Sequence, residues 1–280
     1  MNYRHAYHAG NFADVFKHLL LVRLLRALQR KDRAFAYIET HAGSGRYDLA
    51  AAGARGVHEH REGIGRLWNA PREADEDFEA FVAAVRAVNR GEELRRYPGS
   101  PRIARFFLRP QDRMRVCEMR PDECARLRAE FAGDAQVTVR CGDGYAALAA
   151  WLPPPERRGL VLIDPPYERP DEWDRAREAL LAAAKRWPQG IYAVWYPLKA
   201  GAPTARLRHA LARSGLRKLL CVEMRVWPAD TPFRLNGSGM LLHNPPWRFD
   251  VGLEARLAAL AERLRQGPEA DARVEWLVPE

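Results

Sequence analysis

The sequence predicts an α/β fold, a mostly parallel sheet covered by helices and interrupted by a small helical insertion. Three observations predict it. Short apolar runs alternate with amphipathic stretches over most of the chain, as expected for strands alternating with helices. The run Leu160, Val161, Leu162, Ile163 is apolar without alternation, the pattern of a parallel strand buried on both faces. Residues 50–98 leave this rhythm for charged, helical composition. The chain has 280 residues, 47% of them hydrophobic, enough for one domain with an insertion, or for two domains.

Phe12, Val15, Phe16, Leu19, Leu20, Leu24, Leu25 and Leu28 recur at helical spacing, predicting an amphipathic helix over about 12–30. A polar, aromatic arm, residues 1–11, precedes it. Residues 34–39 read as the first strand, and His41 to Arg46 as a glycine-bearing loop after it. The insertion is expected over 48–98, with Phe78, Phe81, Val82 and Val85 on one helical face. The main domain is then 1–47 plus 99–280. Strands are expected at 114–118, 136–140, 160–163 and 190–195, with helices at 122–131, 171–186 and 204–213. Residues 216–226 and 238–242 read as closing strands, an antiparallel pair. Leu253, Leu257, Leu260 and Leu264 mark a last helix, and residues 273–278 an edge strand.

No apolar run approaches the ~20 residues that span a bilayer, and no apolar h-region follows Met1 to His5, so a cytoplasmic protein without a secretory signal is expected. The four cysteines, Cys117, Cys124, Cys141 and Cys221, lack CxxC spacing and are expected as reduced, mostly buried thiols. His5, His8, His18 and His41 come with no cysteine or carboxylate pattern typical of zinc, so no metal site is expected. A net charge of +9 favours a polyanionic partner, because phosphate neutralisation supplies most nonspecific affinity for nucleic acid.

The chemistry points to Asp164, Pro165, Pro166 and Tyr167, directly after the apolar strand. Two prolines offer no N–H to a ladder and fix φ, so the strand must stop with Asp164 and Tyr167 displayed beyond it. Ligands of open α/β sheets bind at such strand ends. The tetrapeptide resembles the motif of amino-group methyltransferases that use S-adenosylmethionine on nucleobase or amide nitrogens, in its adenine-N6 form. An exocyclic adenine amine is a poor nucleophile because its lone pair is delocalised into the ring. Acceptors on its two N–H bonds, the Asp164 carboxylate and the Pro165 carbonyl, would aim the lone pair at the methyl donor. Tyr167 would stack on the base once it leaves its helix. Asn244, Pro245, Pro246 and Trp247 follow another apolar strand and form a second candidate. They read as a terminating turn, since Asn244 follows a late strand rather than a middle one.

A glycine loop after the first strand lets backbone approach a ligand closely. Glu118 ends the second of these strands, where a carboxylate can accept both ribose hydroxyls. Asp143 and Gly144 follow the third, where an acid can meet the cofactor's adenine amine. Each acid singly could equally be a helix cap.

Tyr3 to His18 (YRHAYHAGNFADVFKH), Thr40 to Tyr47 (THAGSGRY), Tyr97 to Pro101 (YPGSP), Gly142 to Gly144, Leu162 to Glu168 (LIDPPYE), Tyr192 to Pro197 (YAVWYP) and Trp276 to Glu280 (WLVPE) together resemble the bacterial adenine-N6 methyltransferases of large-subunit ribosomal RNA, nearly end to end. The resemblance implies a monomeric, Rossmann-like class I S-adenosylmethionine-dependent methyltransferase with a small helical insertion, acting on one adenine of 23S ribosomal RNA, either protein-free or early in assembly. It implies that His18, His41, Gly43, Ser100, Glu118, Asp143, Gly144 and Asp164 line the cofactor site, that Asp164, Pro165 and Tyr167 are catalytic, and that Tyr3 and Arg4 meet the RNA. Glu39 stands where the family pattern has Asp, and Ser44 sits inside the glycine loop. Two rival readings are a DNA adenine methyltransferase, for which no separate target-recognition domain is visible, and a nonenzymatic RNA-binding protein of the same fold.

Overall fold

The computed structural model describes residues 7–53, 58–70 and 75–280. The chain opens with helix α1 (Phe12–Gln29), started by Asn11, whose side chain accepts hydrogen bonds from the N–H groups of Ala13 and Asp14. Strand β1 (Ala36–Glu39) follows, then β2 (Arg46–Asp48) and α2 (Leu49–Gly53). Helices α3 (Ile64–Trp68) and α4 (Glu76–Arg86) lead to β3 (Arg96–Pro98) and α5 (Ser100–Phe107). The α/β alternation then runs through β4 (Arg113–Glu118), α6 (Pro121–Glu130), β5 (Val137–Cys141), α7 (Gly144–Trp151), β6 (Gly159–Ile163), α8 (Glu172–Arg186), β7 (Ile191–Leu198) and α9 (Thr204–Ala212). Strands β8 (Leu219–Arg225) and β9 (Gly237–His243), helix α10 (Leu253–Arg263) and strand β10 (Asp271–Val278) complete it.

The main sheet has the order β10-β8-β9-β7-β6-β1-β4-β5. Strands β5, β4, β1, β6 and β7 are parallel neighbours, and β9, β8 and β10 add antiparallel. The chain winds outward from β1 through β4 to β5, then returns to β6 and winds the other way. The β1/β6 junction is therefore the topological switch point, where open α/β sheets hold their ligands.

Alternation along each strand divides the core. Tyr37, Leu160, Leu162 and Ala193 face α1, α4, α5 and α10, whereas Ala36, Ile38, Val161, Ile163 and Val194 face α7, α8 and α9. Adjacent strand residues point to opposite faces, so the apolar run of β6 is what burial on both sides demands. Residues 48–98, expected as an insertion, are bracketed by a two-stranded ribbon in which Tyr47 lies opposite Tyr97. Their helix α4 adds Phe78, Phe81, Val82 and Val85 to the same core that buries α1.

Two expectations change. Cys124 on α6 and Cys141 at the end of β5 are joined as a disulfide, with Cα atoms 5.8 Å apart, not separate thiols. A sequence separation of 17 gives no motif spacing, yet α6 packs back beside the strand it precedes, so the two meet in space. Cys117 and Cys221 are buried free thiols. β7 also runs on through Pro197, past the last rung of β6 at Ile163↔Val194, where a missing N–H leaves no parallel partner unserved.

Candidate active site

The C-terminal ends of the parallel strands open into a cavity of about 1070 Å³. Small-ligand sites run to about 1,000 Å³, so this volume stands at the upper end of that range. Sheet order sorts its walls. The ends of β1, β4 and β5 bring His41, Gly43, Glu118 and Asp143 to one side of Asp164, while β7 and the β8–β9 connection bring Trp195, Lys199, Trp227 and Phe233 to the other.

Asp164 is the first residue beyond β6. Its Oδ2 accepts a 2.6 Å hydrogen bond from Lys17 Nζ, and Lys17 also pairs with Asp14 at 2.9 Å. The lysine is 4% exposed. Burial works against its charge, but Asp14 and Asp164 together outweigh it and raise its pKa well above the ordinary value. Lys17 thus remains a cation with two counter-ions, and Asp164 keeps Oδ1 for another partner. Pro165 and Pro166 turn the chain so that Tyr167 has φ +51°, a strained conformation for a bulky residue. The Tyr167 hydroxyl donates to the Trp195 carbonyl at 2.7 Å, and its ring lies 4.4 Å from that of Trp173.

On the other side, β1 ends in Glu39, and Thr40 N–H bonds the Leu162 carbonyl. Glu39 is fully buried, and burial raises its pKa to about 8 against the hydrogen bonds donated by Ser100 and Tyr37. Ser100, at the first turn of α5, lines the cavity through the same contact. Burial lowers the His41 pKa to about 4, so the imidazole is neutral, with Nδ1 2.8 Å from Thr40 Oγ1. Gly43 has φ +59°, and a Cβ there would lie 2.1 Å from the Tyr47 hydroxyl, so glycine is required. Its N–H donates to Glu118 Oε2 at 2.8 Å, and Arg120 N–H donates to Oε1. Burial raises the Glu118 pKa. Each carboxylate oxygen retains capacity for a second donor.

Asp143 is the N-cap of α7, with Oδ1 accepting from Tyr145 and Ala146 N–H and Oδ2 from Arg175 at 2.9 Å. Burial opposes its charge, but the Ala146 and Tyr145 amides and Arg175 hold its pKa below the ordinary value. The helix-cap role and a place in the cavity wall coincide here. Gly144 is packed on β1, where a Cβ would meet the Thr40 carbonyl oxygen at 1.9 Å. His18 is fully buried behind the wall, with Nδ1 2.7 Å from the Tyr97 hydroxyl. Tyr3 and Arg4 lie outside the described residues, as does His5. His8 binds Glu59, so His8, His18 and His41 serve separate partners.

Asn244 lies at the opposite end of the strands, beside the start of β7. Because β9 is antiparallel to β7, its last residue, His243, sits beside Tyr192 at the start of β7. Asn244 takes φ +55°, a conformation asparagine tolerates, and bonds the Gly190 carbonyl. It terminates β9 far from the cavity.

The wall fits a nucleoside carrying positive charge. Among the described residues its carboxylates, from Asp14 and Glu59 to Glu172, outnumber its basic groups, although the chain carries +9. A neutral His41 and a doubly paired Lys17 add little repulsion for a cation. Glu118 and Asp143 offer acceptors to a diol and an amine, which is the donor set of S-adenosylmethionine.

Comparison with known proteins agrees. The family described as ribosomal RNA large subunit methyltransferase D, RlmJ, matches residues 32–278. The chain is 40% identical over 280 residues to ribosomal RNA large subunit methyltransferase J of Escherichia coli, and 41% identical over 281 residues to that of Haemophilus influenzae, each pairing covering all of both chains. A crystal structure of a Legionella pneumophila protein superposes with a TM-score of 0.87 at 35% identity, over 96% of this chain and 98% of that one. A probable spermidine synthase from Corynebacterium glutamicum shares the fold alone, at 13% identity and a TM-score of 0.51 over 94% and 75% of the two chains. The strand order, the switch-point cavity and these full-length relatives make the fold a Rossmann-like class I methyltransferase, and the chain belongs to the RlmJ family of ribosomal RNA large subunit methyltransferases.

Proposed function

We propose that the protein methylates the N6 amine of one adenine in 23S ribosomal RNA, with S-adenosylmethionine as donor and the base turned out of its stack. The observation that carries this reading is Asp164 at the switch point, held through one oxygen by Lys17, between a carboxylate-lined wall and an aromatic one. His41, Gly43, Ser100, Glu118 and Asp143 hold the cofactor on the β1 side, Glu118 taking the ribose hydroxyls and Asp143 the adenine amine. His18 and Gly144 act from behind, by packing. When bound, S-adenosylmethionine supplies an electrophilic methyl group on a sulfonium.

The chain's own residues do the rest by positioning and electrostatics. Lys17 commits Oδ2 of Asp164, which leaves Oδ1 to accept one N–H of the adenine amine. The Pro165 carbonyl accepts the other, and the nitrogen lone pair is directed toward the cofactor side. Asp164 stabilises the positive charge that develops on the amine and is placed to receive its proton after transfer. Tyr167, fixed by its hydroxyl to Trp195, stacks on the extruded base. Tyr3 and Arg4 would contact the RNA around it. The protein acts as a cytoplasmic monomer, on RNA that is protein-free or early in assembly. Among the described residues no helix is long and apolar enough to cross a membrane.

The test is transfer of labelled methyl to protein-free 23S ribosomal RNA, followed by mapping of N6-methyladenine. Asp164→Ala is expected to lower turnover by about 100- to 1,000-fold, by the loss of the acceptor that orients the amine, with cofactor affinity by calorimetry nearly unchanged. Methylation of duplex DNA in preference to RNA would establish the DNA reading instead, and absence of cofactor binding would leave only RNA binding.

A further inference from the structure

Phe233 stands apart from the aromatic residues already described. It sits in the β8–β9 connection, is fully exposed, and has φ +59°, a conformation that disfavours bulky side chains. Nothing in the core is gained by its ring. The loop that carries it is nonetheless built firmly. Asn236 is buried and donates its side-chain N–H groups to the Ala229 and Thr231 carbonyls, while its own N–H bonds the Leu198 carbonyl at the end of β7. Next to Phe233, the Arg234 guanidinium lies 4.1 Å from the centre of the Trp227 ring. Phe233, Arg234, Trp227 and exposed Lys199 all border the cavity on the side of Asp164 away from the cofactor wall.

We propose that Phe233 is a stacking wedge for the nucleotide that flanks the target adenine, with Lys199 and Arg234 meeting the adjoining phosphates. The proposal rests on the RNA-adenine reading above and adds to it a second aromatic contact, distinct from Tyr167. A base turned into the cavity leaves its neighbours unstacked, and an exposed aromatic ring restores that stacking where aromatic and basic side chains alternate. The ring is held outward because its partner is a base of the substrate. Two basic groups beside one aromatic ring, at the rim of a cavity rich in carboxylates, select a polyanion for the rim and not for the interior.

Two measurements test this. In steady-state transfer to protein-free 23S ribosomal RNA, Phe233→Ala should raise the RNA KM about ten-fold or more, the range of one base–aromatic stack, and leave cofactor affinity unchanged. Phe233→Trp should restore it, and Phe233→Leu, which keeps apolar bulk without a π-face, should not. In parallel, anisotropy of a labelled single-stranded oligoriboadenylate should show the same order of affinities without turnover. Lys199→Ala and Arg234→Ala should each reduce the salt dependence of that binding by about one ion. Unchanged RNA KM and oligonucleotide affinity in Phe233→Ala would overturn the wedge, as would equal rescue by leucine. If the wild-type protein transfers no methyl to the RNA, the adenine reading fails by itself, and the oligonucleotide series still decides whether Phe233 stacks on bases.

Discussion

Lys17 sets the orientation of Asp164, and it does so from 147 residues away in the chain. The strand-end aspartate was legible in sequence because two prolines after an apolar run have one structural meaning. Its partner was not, because an ion pair closed by tertiary folding leaves no spacing to read. A faint signal did exist: Asp14 and Lys17 form an i,i+3 pair on a helix buried on almost every side, where charge needs a reason. Lys17→Met is expected to lower kcat about 100-fold, the effect of misplacing a reacting group by an ångström. Calorimetry should show cofactor affinity within a few-fold of wild type. Glu39 makes a second residue-scale case, a fully buried carboxyl that takes hydrogen bonds from Tyr37 and Ser100. Its folded pKa is raised to about 8 from an ordinary value of 4.5. The folded protein therefore holds a proton that the unfolded chain releases. The stability linked to that proton is complete below about pH 4.5 and is lost progressively as pH rises toward 8. Glu39→Gln should flatten that decline between pH 5 and 8 by a few kcal/mol, read from denaturant unfolding at a series of pH values.

At the scale of elements, the parallel strands and their helices were legible because burial on two faces and 3.6-residue periodicity leave strong patterns. The ribbon β2–β3 was not, as its three-residue strands are shorter than any periodicity can resolve. Helix α5 was hidden for a related reason. Its start at Ser100 and Pro101 follows a cap, Gly99, that makes no side-chain bond, and its eight residues span only about two turns. Both omissions bear on the site, since the ribbon and α5 together deliver Ser100 to Glu39. The stretch expected as an insertion packs its helix α4 into the main core. Phe81 of α4 is fully buried among residues of α1, and Asp77 receives both Arg23 and Arg26 from α1. Phe81→Ala should therefore cost the whole enzyme about 3–5 kcal/mol in one cooperative transition with unchanged m-value. A separate early transition for residues 48–98 would instead mark the insertion as an independent unit.

Across the whole molecule, charge is divided by depth. The chain carries +9, yet carboxylates predominate in the cavity wall, so the basic excess lies on the outer surface and rim. Composition showed the excess but could not show this division, because sequence reports charge without position. In the proposed function the two regions face ligands of opposite sign, a cationic cofactor inside and a polyanion outside, and ionic strength separates them. RNA binding releases counterions in proportion to the phosphates neutralised, with a slope of about −0.7 per contact for single strands. A small ligand of one net charge in a partly enclosed cavity releases no such atmosphere and is screened less. Raising salt from about 50 to 200 mM should thus weaken RNA affinity by about 100-fold if four to five phosphates are engaged, while cofactor affinity changes less than about three-fold. Calorimetry for the cofactor and filter binding for the RNA, run on one preparation, check both. Equal salt slopes would mean that cofactor and RNA meet the same charges, which is incompatible with an acidic cavity behind a basic rim.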